Sequence, residues 1–201
     1  MKPAAIGIRV HSGWGALVAV SGKVGVEEVI EHSRVVVIDP KISGMSQPYH
    51  FAKKLEIRAA EKYIAQCAAA STRLAQAAIQ NIIEQLENRG YRVVASAILL
   101  SSGRPLPAFA KILASHAMIH TADGEFFRQA FRDAFEHLQI QVSGIREREL
   151  DERAGVLLGK ASAGLQQRIN GMGSTLGPPW TKDQKNAALA AALMLMGGVD
   201  T

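Results

Sequence analysis

The sequence predicts an α/β fold with a five-stranded mixed sheet, three antiparallel strands followed by two parallel ones, and helices on both faces. Three observations lead to this prediction. Residues 4–38 hold three β-rich runs separated by short glycine-containing turns. Residues 48–88 repeat apolar side chains at helical spacing. Residues 91–100 form a nearly continuous apolar run, which is typical of a strand covered on both faces.

The strand directions follow from the connections. The turn at Ser12-Gly13 is tight, so the first two strands should pair antiparallel. The fourth and fifth strands each follow a helical segment, and such crossover connections place both parallel to the first strand. The five strands are predicted at residues 4–11, 14–21, 27–38, 91–100 and 139–145.

Helices are expected between and after these strands. The longest covers about 48–88, with a kink or break expected near Ser71-Thr72. The last helix begins at Thr181, whose spacing to Gln184 matches a capping box. The other helices are predicted at about 107–119, 122–137, 147–158 and 162–170.

The composition predicts one domain over residues 1–201, in which 170–201 form a C-terminal linker and a closing helix. No apolar run approaches the roughly 18 residues that span a bilayer, so we expect no membrane partner and a cytoplasmic location. The net charge of +5 is compatible with an anionic partner. The one cysteine, Cys67, lies among alanines and is expected to be a buried structural thiol.

Two short motifs, together with the element order, resemble the RuvC-type branch of the RNase H-like superfamily, the relatives of Holliday-junction resolvases. Residues 6–15 resemble the family's opening strand and turn, Gly-Ile-Asp-Pro-Gly. Residues 183–193 resemble its closing helix, Asp-x-x-Asp-Ala-Leu-Ala. The resemblance implies an RNase H-like fold and, for active members, carboxylates that converge on two metal ions.

Most of those carboxylates are absent from this chain. Arg9 stands where the family has its first-strand Asp, and Asn186 replaces the second acid of the closing helix, while Asp183 matches the first. The sequence therefore predicts no cofactor, and Mg²⁺ or Mn²⁺ would be needed only if the chain were a nuclease after all. Two hypotheses for Arg9 are a structural ion pair with Asp183 and a phosphate ligand.

A weaker resemblance links the chain to the middle domain of class-1 archaeal and eukaryotic peptide-release factors. Their Gly-Gly-Gln loop lies between the third strand and the long helix, where this chain has Gly44-Met45-Ser46-Gln47. A basic helix follows it, as the resemblance implies. The spacing departs from the Gly-Gly-Gln pattern, and Gln47 is also explained as a residue that begins a helix.

Other residues are candidate phosphate ligands because of their positions. Gln47 and His50 flank a helix start, where free backbone amides receive anions. Arg104 lies in the loop after the fourth strand, where ligands of open α/β sheets bind. Together with Arg9 and His11, these residues form the predicted phosphate-binding set.

Candidate acid–base and metal-binding residues complete the predicted site. Asp183, Glu149 and His50 are the candidate catalytic groups, although Glu149 also fits a self-paired, solvated helix start. His116 and His120 are four residues apart and share one helix face, so with Asp123 or Glu125 they are weak candidates for a metal site.

Three functions are compatible with these patterns. The leading hypothesis is a non-catalytic or atypical RNase H-like module that binds a phosphate-bearing ligand, with nucleic acid as the favoured partner. The second is a hydrolase or nuclease with a rearranged acid and histidine site. The third is a homo-oligomeric interaction protein, a homodimer through the apolar last helix, to be tested by substituting Leu193.

Overall fold

The computed structural model describes residues 1–101 and 105–197. Its five strands form one mixed sheet in the order β3-β2-β1-β4-β5, and this confirms the predicted fold class. β1 pairs antiparallel with β2 and parallel with β4, β2 pairs antiparallel with β3, and β4 pairs parallel with β5. The strands are β1 (Lys2–His11), β2 (Trp14–Ser21), β3 (Glu28–Val36), β4 (Tyr91–Leu100) and β5 (Val142–Arg146).

Helices cover both faces of this sheet. A 3₁₀ turn, Glu147–Glu149, joins β5 to α5. The helices are α1 (Pro48–Ala52), α2 (Ile57–Asn88), α3 (Phe109–Leu113), α4 (His116–His137), α5 (Leu150–Leu158), α6 (Ala161–Gly171), α7 (Gly173–Leu176) and α8 (Lys182–Met196). No helix in the described part of the chain is both long and apolar enough to cross a membrane.

The prediction of a break near Ser71-Thr72 is wrong. The segment 48–88 is interrupted at residues 53–56 instead, where Glu56 takes an extended conformation (φ −59°, ψ 147°) before α2 begins. α2 then runs through 32 residues. The Ser71 hydroxyl donates to the carbonyl of Val37 at 2.8 Å, so this residue ties the helix to the end of the β3 segment rather than breaking it.

Two further boundaries differ from the prediction. The sequence predicts a break between two helices near residue 120, but α4 runs through this position. The helix begins at His116 because Ser115 caps it, accepting a hydrogen bond from the Met118 N–H. β5 begins at Val142 rather than at residue 139, because the chain first turns at the end of α4, with Gln139 at φ 57°. The predicted capping box of Thr181 and Gln184 at the start of α8 is confirmed.

The core has two layers, one on each face of the sheet. On one face, α2 and α4 pack against β1 and β4 around three fully buried aromatic residues, Phe127, Phe131 and Phe135. On the other face, α5, α6 and α8 pack around the alanines of α8. Every residue from Ala187 to Leu193 is buried, whereas Met194, Leu195 and Met196 at the end of α8 are half-buried. Leu193 is a core residue, so its substitution would test the packing of α8, and the homodimer stays a prediction.

α8 lies close to the sheet because β1 carries a glycine at the contact. A Cβ at Gly7 would overlap the carbonyl oxygen of Ala187. The small side chains of the helix and the missing side chain of the strand let the two backbones approach directly. This approach brings the first turn of α8, with Asp183, to the end of β1.

Candidate functional site

Four strands end at the same edge of the sheet, which we call the carboxyl edge. β1, β4 and β5 are parallel, and β3 points the same way because it is separated from β1 by one antiparallel strand. The segments that follow these strands therefore meet there. Together with the end of β1, they bring six of the nine predicted site residues into two separate groups.

The first group, the Arg9 cluster, lies where α8 meets β1 and consists of Arg9, His11, Glu147, Asp183 and Asn186. Arg9 Nε is 2.9 Å from Glu147 Oε2 and 4.0 Å from Asp183 Oδ1. His11 Nε2 is 2.8 Å from Asp183 Oδ2. Asn186 donates to Glu147 Oε1 at 2.9 Å. Each carboxylate oxygen of the cluster therefore has a donor or a cation within 4.0 Å.

The Arg9 guanidinium is itself held in place. Its Nη1 donates to the carbonyl of Val10 at 2.8 Å, while the buried Nε–H finds no acceptor in hydrogen-bond geometry among the described residues. The contact of Nε with Glu147 is therefore chiefly electrostatic. The Arg9 and Glu147 side chains are 26% and 29% exposed, which leaves the pair partly screened by water.

The ring of His11 is fixed by stacking as well as by Asp183. It stacks on Trp14 with ring centroids 4.3 Å apart, and the Arg34 guanidinium lies 4.0 Å from the centroid of the Trp14 ring. A cation over an aromatic face is favourable. The stack orients the imidazole so that Nε2 meets the carboxylate of Asp183.

The Arg9 cluster does not fit the two-metal centre that the resemblance implies. A divalent metal site of this type needs several carboxylate oxygens that are free to coordinate. Here the two carboxylates, Glu147 and Asp183, already face Arg9 and His11, and the Arg9 guanidinium lies between them and repels a second cation. We therefore derive no catalytic step through metal ions at this position.

The second group, the His50 cluster, lies on the other face of the sheet, where α1 meets the start of α4. It consists of His50, His116, His120 and Asp123. His50 Nδ1 is 2.6 Å from Asp123 Oδ2, and the other oxygen of Asp123 accepts the Tyr49 N–H at 2.7 Å. The Asp123 side chain is only 5% exposed. This buried carboxylate therefore fixes the orientation of the His50 ring.

The three imidazoles of this cluster face one another. Their ring centroids are 4.5 Å apart for His50 and His120, 4.5 Å for His116 and His120, and 5.6 Å for His50 and His116. His116 and His120 approach through their Nε2 atoms at 3.1 Å. His50, His116 and His120 each place one potential ligand nitrogen within 4.8 Å of those of the other two. Within residues 1–101 and 105–197, no other set of three such ligands is this close.

Glu149, Gln47 and Cys67 belong to neither cluster. Glu149 accepts hydrogen bonds from Arg146 and Arg153, and the bond from Arg146 lowers the pKa of Glu149, which makes it a poor general acid. Gln47 is exposed at the start of α1, and its side chain does not cap the helix. The predicted Arg104 loop lies outside the described residues. Burial raises the pKa of Cys67, which is fully buried and unsuited to nucleophilic attack.

The sequence names His50, His116 and His120 together only as alternative acid–base groups of a rearranged site, and it predicts a metal site from His116 and His120 without His50. His50 is 66 positions before His116, and no local pattern relates them. The strand order is the feature that relates them, because the segment with His50 follows β3, the segment with His116 follows β4, and both strands end at the carboxyl edge. The same feature applies to Glu147, which directly follows β5 and is a nearer partner of Arg9 than the predicted Asp183.

No protein-family model matches the sequence, and no curated protein matches it. Solved structures do resemble the fold. Thermus thermophilus RuvC in complex with a Holliday junction substrate superposes with a TM-score of 0.53 at 11% sequence identity, over 96% of this chain and 93% of that one. A second T. thermophilus RuvC structure gives 0.48 at 12% identity, over 94% and 92%. At such low identity the likeness concerns the fold alone, and the chain has an RNase H-like fold of the RuvC type.

Proposed function

We propose that this protein is a nucleic-acid-binding module with an RNase H-like fold that holds the phosphate backbone on α2 and does not cleave at the Arg9 cluster. The observation that carries the proposal is a basic stripe on α2, formed by Arg58, Lys62 and Arg73. All three side chains are exposed. At 100° per residue they fall within about 60° of one another around the helix axis, spread over about 22 Å of its length.

The surroundings of the basic stripe extend its positive charge. Lys41 and Arg73 both line an open groove of about 570 Å³ beside α2. Within the described part of the chain, no carboxylate oxygen lies within 4.0 Å of the Lys41 ammonium or of the three side-chain cations of the stripe. Asp39 also lines the groove, but its carboxylate accepts the backbone N–H of Lys41 at 2.9 Å. Cations without carboxylate partners are the groups that attract phosphates and release condensed counterions.

The Arg9 cluster supports a different role for its residues. The sequence predicts Arg9 and His11 as phosphate ligands, but Arg9 faces Glu147 and His11 Nε2 lies 2.8 Å from Asp183 Oδ2. A phosphate at this position would have to displace Glu147 or Asp183. We therefore assign the phosphate contacts to the basic stripe and the Arg9 cluster to joining β1, β5 and α8.

The test is a titration of labelled single-stranded, duplex and four-way-junction oligonucleotides between about 50 and about 200 mM salt. The wild type should bind with an affinity that falls steeply as salt rises. For the variant Arg58→Gln/Lys62→Gln/Arg73→Gln, the slope of log K against log salt should be smaller in magnitude by about 2 to 3. Each neutralised phosphate contributes about 0.9 to this slope.

The matched control is Lys2→Gln/Lys23→Gln/Arg92→Gln, which removes three exposed cations from the opposite edge of the sheet. This variant changes the net charge by the same amount as the α2 variant, but it should keep most of the wild-type slope of log K against log salt. Equal losses in the two triple variants would show only a net-charge effect and overturn the assignment to α2. Absence of salt-sensitive binding to all three nucleic acids would overturn the proposed function itself.

A further inference from the structure

The His50 cluster has the chemistry of a transition-metal site. We propose that His50, His116 and His120 bind one divalent metal ion of the zinc type, with Asp123 as the positioning residue behind His50. This site is separate from the metal centre implied by the fold resemblance, and it does not depend on the proposed nucleic-acid binding. Four features of the cluster favour a metal ion: the ligand type, the spacing of the nitrogens, the carboxylate behind them and the open side.

The ligand type favours a metal of borderline softness. Three imidazole nitrogens converge, and no carboxylate oxygen is among the three ligand atoms. Neutral imidazoles suit Zn²⁺, Co²⁺, Ni²⁺ and Cu²⁺, whereas Mg²⁺ and Ca²⁺ take oxygen ligands. Zn²⁺ is the representative ion, because three histidines are a common set of protein ligands for it.

The spacing is close to what such an ion requires. Two nitrogens that coordinate a tetrahedral ion at about 2.05 Å lie about 3.3 Å apart. The Nε2 atoms of His116 and His120 are 3.1 Å apart. They are four residues apart on one helix face, so both rings can turn toward one ion without any change in the backbone.

Asp123 supplies the support that metal-binding histidines ordinarily have. Its carboxylate accepts the proton on His50 Nδ1 at 2.6 Å, which leaves Nε2 of this ring with a free lone pair for a metal. The Tyr49 N–H holds the other carboxylate oxygen at 2.7 Å. This nearly buried residue therefore fixes both the tautomer and the orientation of the third ligand.

The cluster is also open on one side. His116 and His120 are exposed, and His50 is half-buried. Three protein ligands leave the fourth position of a tetrahedral ion for water or another small ligand, as in catalytic rather than structural zinc sites. The ion would therefore be exchangeable and accessible from solution.

The experiment uses the full chain without an affinity tag, stripped of metal with a chelator. Zn²⁺ is titrated in competition with a chromogenic chelator, and Co²⁺ is added separately to record its visible absorption bands. The wild type should bind one ion per chain, with a Co²⁺ spectrum typical of tetrahedral nitrogen coordination. His116→Ala and His120→Ala should each weaken Zn²⁺ binding by about 100-fold or more. Asp123→Asn should weaken it by about 10- to 100-fold.

The matched control is His137→Ala, at the far end of the same helix, where the histidine is also exposed. This variant should bind Zn²⁺ like the wild type. Because His116 and His120 are exposed, their alanine variants should keep the wild-type circular dichroism and melting temperature in the absence of metal. The proposal is overturned if the wild type does not bind Zn²⁺ stoichiometrically. It is also overturned if the His120→Ala and His137→Ala variants bind Zn²⁺ equally, because the cluster would then be only a hydrogen-bonded histidine pair.

Discussion

The two clusters at the carboxyl edge use similar side chains in opposite ways. In the Arg9 cluster, the Arg9 guanidinium and the His11 ring face the carboxylates of Glu147 and Asp183, so that both carboxylates already have partners within the chain. In the His50 cluster, the one carboxylate stands behind the histidines and the imidazole nitrogens face each other. The first arrangement is complete without a ligand. The second leaves nitrogen lone pairs that only a proton or a metal ion can use.

The difference follows from how each side of the edge is packed. Gly7 lets α8 lie directly on β1, which pushes Asp183 against the residues at the strand end. On the other face, α4 begins at its Ser115 cap, with His116 and His120 exposed in its first two turns. Close packing therefore leads to internal charge compensation, whereas the exposed positions at the start of α4, beside the buried Ile119, leave histidine side chains available for binding.

The largest expected effect comes from Gly7→Ala, which breaks the contact behind the Arg9 cluster. The added Cβ would overlap the Ala187 carbonyl, and neither backbone can yield without moving the whole helix. We expect a loss of about 3 kcal/mol in the free energy of unfolding, measured by urea denaturation. Zn²⁺ binding at the His50 cluster should be unchanged while the variant is folded.

The control for this substitution is Gly155→Ala. Gly155 lies within α5 without a positive φ, and a Cβ there would meet no atom within 4 Å. Alanine favours the helix, so this variant should be neutral or more stable by up to about 1 kcal/mol. A similar loss of stability in both variants would mean that the close approach of α8 to β1 is not what Gly7 provides.

A second prediction concerns an ion pair whose carboxylate is buried, for comparison with the Arg9 cluster, in which both carboxylates are partly exposed. Arg168 donates two hydrogen bonds to Glu27, at 2.6 and 2.9 Å, and the Glu27 side chain is 1% exposed. Arg168→Met leaves that carboxylate buried without its cation. We expect a loss of about 2 kcal/mol near neutral pH, because a desolvated charge loses its main partner.

The pH dependence of the same pair has a defined sign. Burial alone would raise the pKa of Glu27, but the hydrogen bonds from Arg168 and from the Gly25 N–H outweigh burial and lower the pKa below about 4.5. The pair therefore stabilises the wild type above that pH, and its contribution is lost as the pH falls through the lowered pKa. The stability difference between wild type and Arg168→Met should shrink below about pH 4.5. A constant difference down to pH 3 would contradict the assignment.

The third and smallest expected effect is a gain of metal affinity from Arg9→Asp. This change removes the cation between Glu147 and Asp183 and adds a third carboxylate beside them. Mn²⁺ affinity, followed by the electron paramagnetic resonance signal of the free ion, should rise about tenfold, which corresponds to about 1.4 kcal/mol. The measurement is made in a His120→Ala background, so that the His50 cluster does not contribute. An Arg9→Met variant in that background should show no gain.

Most of the fold could be predicted from the sequence because its signals are local. The apolar run at 91–100 and the tight turn at Ser12-Gly13 give strands and pairing directly. The helix boundaries were harder to predict from the sequence, because Ser71 and Ser115 are the same residue type but have different hydrogen-bond partners. Ser71 bonds to a distant carbonyl inside the core, whereas Ser115 bonds to its own helix and begins it.

The candidate site was predictable only in part, because it depends on contacts between distant segments. Arg9 stood out through the family position it occupies, but its proximity to Glu147 depends on β5 ending beside β1 and β4. His116 and His120 were paired by their spacing, whereas the third histidine joins them only through the docking of α1 against α4. A pattern of residue types cannot show such a contact until the sheet is assembled.

The length of α2 has a consequence for the motions of the protein. At 1.5 Å per residue its 32 residues extend about 48 Å, whereas a ten-residue strand spans about 33 Å. Its C-terminal half, from Ala75 to Leu86, packs into the main core, and its N-terminal half packs on a smaller cluster formed by Met45, Cys67 and Ala70. Backbone amides near Arg58 should therefore exchange with deuterium much faster than those near Ile82. A polyanion bound to the basic stripe would slow exchange in the half of the helix that is otherwise the more mobile.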